Sequence, residues 1–135
     1  MAKQSGLAMT TLSVDDSSAT ARAIINDITN FTLSTPRGVQ DITGVDKSAM
    51  ERLLLLADMS VTANGVVNVA ANQSHDVFKT VTSTSVNRTT TLTQSGVTLA
   101  GELLYTDYQW NRSNSGELTW TAPGVLADGT VPTWA

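Results

Sequence analysis

The sequence predicts a mainly β fold, a β-sandwich or barrel of about seven strands with one or two short flanking helices. Three observations carry that expectation. Thr, Ser and Val alternate with apolar residues at strand period, as where Met59, Val61 and Ala63 alternate with Ser60, Thr62 and Asn64. Turn formers such as Pro36-Arg37-Gly38, Gln94-Ser95-Gly96 and Asn114-Ser115-Gly116 punctuate the chain, with turns about every eight to twelve residues. Helices are expected in only two stretches, 48–57 and 72–81. A chain of 135 residues is the size of one domain and buries roughly two-thirds of its unfolded surface, enough for a core without staples. The expectation is one domain over 1–135, with a polar N-terminal arm at 1–6 and a C-terminal arm at 130–135.

Residues 7–14 read as the first strand and Asp15-Asp16-Ser17-Ser18 as a turn. Within 20–31, Ala21, Ile24, Ile25 and Ile28 sit at helical spacing, but Asn26 and Asp27 argue for a turn, so strand, turn and strand is preferred. Residues 39–45, β-branched at Val39, Ile42 and Val45, form a short strand. Ser48 followed three residues later by Glu51 has the pattern of a capping box, so the spacing predicts a helix running to Ala57. Leu53, Leu54, Leu55 and Leu56 make that helix apolar around most of its circumference, so it must be covered on more than one side. A strand follows from Met59. A second short helix is expected within 72–81, with Ser74 as its cap and Val77, Phe78 and Val81 at helical spacing.

Residues 86–94, VNRTTTLTQ, contain few apolar side chains and read as an edge strand or one with a well-solvated face. Residues 97–110 form the longest strand candidate. Val97, Leu99, Gly101, Leu103 and Tyr105 lie on one face, and Leu104, Tyr108 and Trp110 on the other. A strand apolar on both faces is sandwiched or meets a neighbour across an interface. Residues 117–127 return from the hairpin turn, and Pro123 with Gly124 forces a bend or bulge.

Composition excludes several classes. There is no cysteine, hence no disulfide framework and no thiolate metal site. The N-terminal residues lack an apolar run and do not read as a signal peptide, and no segment reaches the ~18 apolar residues that would span a bilayer. The Asn-x-Ser/Thr triplets at Asn30, Asn72, Asn87 and Asn111 are therefore not expected to carry glycans. Net charge is −4, and Lys and Arg are scattered without a patch, against tight nucleic-acid binding.

Candidate chemistry is sparse. His75, the one histidine, would need a carboxylate and an activated serine to form a triad, and a surface or capping role is the plainer reading. Asp15 and Asp16 with Ser17 and Ser18 would hold a cation only with further ligands, and a solvated turn is simpler. Glu102 and Glu117, on adjacent strands, would mimic a glycosidase pair, though outward-facing strand positions explain each. Tyr105, Tyr108, Trp110 and Trp120 would make a sugar-binding platform or, more simply, a packed cross-strand cluster. Nothing in the pattern calls for a metal or cofactor, and no enzymatic activity is expected.

Order and spacing carry a resemblance over roughly 26–127. The strand end Asp41-Ile42-Thr43, a loop with a short Leu-rich helix after it, the Ser/Thr-alternating strand with Gly65, and Ser115-Gly116-Glu117-Leu118-Thr119-Trp120 resemble the major tail tube protein of long-tailed, siphovirus-like phages. The resemblance implies a structural virion protein, made in the host cytoplasm and resident in the tail. It implies homo-hexameric rings that stack into a tube, contacts with other tail proteins, and a lumen that DNA crosses without specific binding. Neither membrane nor cofactor enters. The alternatives are a carbohydrate-binding module and a capsid decoration or tail-completion protein on a related fold. The expected subunit interface comprises Leu54, Leu55, Tyr108, Trp110, Val131 and Trp134. The last two are placed there because Pro132 bars a regular ladder strand while burial of Trp134 would yield roughly 2–3 kcal/mol.

Overall fold

The computed structural model describes residues 3–9 and 11–135. Among the described residues there are ten strands and one short α-helix: β1 (Thr11–Asp15), β2 (Ala21–Ala23), β3 (Ile28–Ser34), β4 (Arg37–Asp41), β5 (Arg52–Ala57), β6 (Ser60–Val66), α1 (Ser74–Phe78), β7 (Arg88–Gln94), β8 (Val97–Tyr105), β9 (Gln109–Arg112) and β10 (Leu118–Leu126). Eight strands form one antiparallel sheet in the order β2-β1-β7-β8-β10-β6-β3, with β9 also paired to β10. The expected mainly β, sandwich-like class is what the chain adopts, with more and shorter strands than expected.

The sheet encloses its apolar face. Leu12 and Val14 of β1, Val61 and Ala63 of β6, Leu92 of β7, Leu99 and Leu103 of β8, and Trp120 and Ala122 of β10 meet in one core, with Phe31 and Leu33 of β3 packed against it. The alternation read from Met59 onward is realised, since Met59, Val61 and Ala63 are buried. Helix α1 lays Phe78 on this core, its ring 5.1 Å from those of both Tyr105 and Trp120. Gly65 allows β6 to cross beneath Trp120. A Cβ there would overlap the Asp27 carbonyl and lie 2.7 Å from the indole ring.

Polar groups inside the shell are satisfied by bonds that fix the corners. Arg88 is fully buried without a carboxylate partner, and its guanidinium donates to the carbonyls of Asp15 (3.1 Å) and Val77 (2.9 Å) and to Thr80 Oγ1 (2.8 Å). Next to it in β7, Thr90 shares a 2.8 Å bond with the Tyr105 hydroxyl. Burial pushes the Tyr105 phenol up to about 12. The Asp27 carboxylate accepts from the Ser74 amide (3.0 Å) and from Asn68 Nδ2 (2.9 Å), tying the β2–β3 corner to the start of α1. Asp27 therefore does the capping expected of Ser74, which is the first helical residue and is itself buried.

Several expectations are corrected. The helix over 48–57 does not form. That stretch enters a loop and then strand β5, because Thr43 takes Glu51 as a backbone partner: the Glu51 amide donates to Thr43 Oγ1 (2.8 Å) and the Ile42 amide to the Glu51 carbonyl (3.0 Å). β1 starts at Thr11 rather than Leu7. Gly6–Ala8 is a 3-10 turn capped by Ser5, and Leu7 is exposed. β7 is not an edge but lies between β1 and β8, its polar inward residues Arg88 and Thr90 satisfied by the bonds above. The long strand over 97–110 is broken at 106–108 into β8 and β9, so β10 pairs with β9 along its first half and with β8 from Gly124 onward. The turn at 95–96 closes on Gln94 paired with Val97, with Ser95 at φ 49° and Gly96 at φ 83°, the conformation of a tight hairpin.

Candidate assembly surface

β4 and β5 form a separate two-stranded hairpin that continues the β3–β6 ladder beyond the sandwich. The Asp58 amide donates to the Pro36 carbonyl (3.0 Å) at the junction, and the hairpin then extends roughly 20 Å at the usual strand rise. Every residue of β4, and of β5 up to Leu56, is exposed. Alternation sends Leu53 and Leu55 to one face and Leu54 and Leu56 to the other, with Val39 opposite Leu54 and Gly38 beneath Leu55. Both faces are thus apolar, and Ile42, Val45 and Met50 extend the exposed apolar surface over the tip. The tip loop is held by Asp41, whose carboxylate accepts from the Thr43 hydroxyl (2.6 Å) and amide (2.9 Å). These bonds hold the carboxyl below its ordinary range.

At the root of the hairpin lies an open groove of about 710 Å³. It is lined by Leu54, Leu55 and Leu56 of β5, with Val131, Pro132 and Trp134 of the C-terminal segment opposite. Four residues expected at an interface, Leu54, Leu55, Val131 and Trp134, are therefore brought together although some 75 positions separate the two segments in sequence. They stand on a hairpin strand and an extended arm rather than on a helix and a free arm.

Tyr108 and Trp110 lie elsewhere. His75 Nδ1 and the Tyr108 hydroxyl are 3.1 Å apart, and the imidazole packs against Trp110 with ring centres 5.6 Å apart. Burial raises the Tyr108 phenol above its ordinary range. Trp110 keeps an exposed face, while Tyr108 reaches inward to Phe78 and Trp120. The aromatic group is thus a packed cluster and not a platform, since Tyr105 and Trp120 are buried.

The remaining candidate chemistry disperses. Glu102 faces Thr89 across β8 and β7 and accepts from its hydroxyl. Its carbonyl meets Ala127, ten positions along from Glu117, on the order of 30 Å apart in an extended strand, so the two carboxylates form no pair. Asp16 closes a turn, accepting from the amides of Ser18 (2.9 Å) and Thr20 (3.1 Å) and from Arg22 Nε (3.1 Å). Among the described residues no group of three His, Cys, Asp or Glu could hold a metal, and no helix is long and apolar enough to cross a membrane.

Neither protein-family models nor curated proteins match this sequence. Solved structures do. A chain from the tail of an empty gene transfer agent particle, computed with helical refinement and C6 symmetry, matches with a TM-score of 0.74 at 16% identity, covering 98% of this chain and 99% of that one. A chain from the virion of a native gene transfer agent particle matches at 0.71 and 15%, over 98% and 99%. At such identities the likeness is one of fold, and it runs over nearly the whole length of each chain. This chain has a fold found in the tail of a gene transfer agent particle.

Proposed function

We propose that this chain is a structural, non-enzymatic subunit of a phage-like tail tube. Six copies close a ring, rings stack, and DNA crosses the lumen without specific binding. The observation that carries this reading is the β4–β5 hairpin. An isolated chain leaves apolar side chains exposed on both of its faces, and full burial of each Leu is worth about 1.5–3 kcal/mol. The shared fold supports it, because one neighbour of that fold sits in a tail of C6 symmetry. The net charge of −4 accords with a conduit that does not retain DNA.

In this reading the groove lined by Leu54, Leu55, Val131 and Trp134 meets a neighbouring subunit, and the open face of Trp110, backed by Tyr108, forms a second contact. The subunit is made in the host cytoplasm, resides in the virion tail, contacts other tail proteins at the tube ends, and is one domain over 1–135 with short arms at 1–6 and 130–135. Electron microscopy of the purified protein tests the proposal. Hollow tubes with a sixfold cross-section are expected. Compact single particles at every concentration would contradict it.

A further inference from the structure

We propose that the segment 130–135 guards a strand-accepting edge of β8, and that the partner it excludes is the same edge of a second copy of this chain. The register makes the edge explicit. Because the turn at 95–96 closes on Gln94 and Val97, the residues Val97, Leu99, Gly101 and Leu103 direct their backbone groups to β7. Thr98, Ala100 and Glu102 direct theirs outward. β10 covers β8 only at 103–105, so 97–102 has no strand of the main sheet on its outer side. The stretch 97–101, VTLAG, carries no charge and no proline, the devices that normally blunt such an edge.

The C-terminal segment covers both ends of that gap, at Glu102 and at Thr98. The Ala127 amide donates to the Glu102 carbonyl (2.9 Å), the chain bends through Gly129 at φ 76°, and it returns to pair Trp134 with Leu99. Ala135 exchanges two bonds with Thr98, of 2.8 and 2.9 Å. Pro132 bars the segment from becoming a full ladder strand and removes one donor from its outer side. Its outer side instead offers Val131 and Trp134 to the groove. Self-association is thereby confined to surfaces other than this edge.

Truncation after Asp128 tests the guard. The shortened chain is expected to form thioflavin-positive, non-tubular aggregates at concentrations where the full chain does not. Ala100→Pro in the shortened chain removes an outward donor without touching a β7 bond, and it should suppress them. A shortened chain that stays as dispersed as the full one, or aggregates equally with proline at 100, overturns the proposal. Should truncation prevent folding, hydrogen exchange on the full chain decides. The Thr98 amide is expected to exchange at least roughly tenfold more slowly than in an unstructured peptide. Exchange at the unstructured rate overturns it. Failure to form tubes would count against the proposed function while leaving these outcomes unchanged.

Discussion

Two residues illustrate how polar groups hold this shell, and each yields a measurable expectation. Burial alone would raise the Asp16 carboxyl, but the amides of Thr20 and Ser18 and the Arg22 guanidinium outweigh it and lower the value below its ordinary 3.8. A carboxyl depressed in the folded state stabilises the fold above its ordinary value, and that contribution is lost as pH falls through the folded value. Asp16→Asn keeps an oxygen for the two amides and loses the charge. It should cost about 0.5–1 kcal/mol at neutral pH, with the gap closing below about pH 4. Urea unfolding of both proteins at pH 7 and pH 3 checks this, and an equal gap at both would refute it. Arg88 is the second case. Arg88→Ala strands buried carbonyls and leaves a cavity, so it should lower the unfolding free energy by roughly 3 kcal/mol. The role of Arg88 was not legible in the sequence, since nothing in VNRTTTLTQ marks the arginine as the inward residue. Those same few apolar residues made a central strand read as an edge.

Among the elements, those whose pattern is set by one buried face were legible. β6 alternates cleanly, the β7–β8 and β9–β10 hairpins announce themselves by their turns, and α1 falls inside the stretch with helical spacing. The segment 48–57 was not, for a definite reason. Four consecutive leucines carry no period, so strand and helix cannot be separated there by spacing, and the apparent capping box is local chemistry overridden by the Thr43 to Glu51 bonds. A segment apolar on two sides calls for cover on two sides whichever backbone it adopts, yet Leu53 to Leu56 are exposed in this chain. Because the hairpin stands off the sandwich, Leu54→Asp with Leu55→Asp should change the unfolding free energy by no more than about 0.5 kcal/mol. The same pair should abolish large assemblies in sedimentation. A large loss of stability would mean the hairpin folds back on its own domain.

For the whole molecule, the grouping of the residues expected at a subunit contact was legible in part. Leu54, Leu55, Val131 and Trp134 share a groove because the β3–β6 ladder and the returning C-terminal segment converge, a convergence that requires the topology. Tyr108 and Trp110 share an apolar strand pattern with the core, but Tyr108, within the break at 106–108, is half-buried and Trp110 beyond it is exposed. Among the described residues, the main sheet packs around one core and the β4–β5 hairpin stands off it with apolar side chains exposed on both faces. In the proposed assembly this hairpin becomes covered. Hydrogen exchange of the β4 and β5 amides, compared between dilute isolated chain and assembled particles, tests it most directly. Rapid exchange is expected at the free edges in the isolated chain, with strong protection along Arg37–Asp41 and Arg52–Ala57 in the assembly. Assembled particles whose hairpin amides exchange as fast as those of the isolated chain would contradict it.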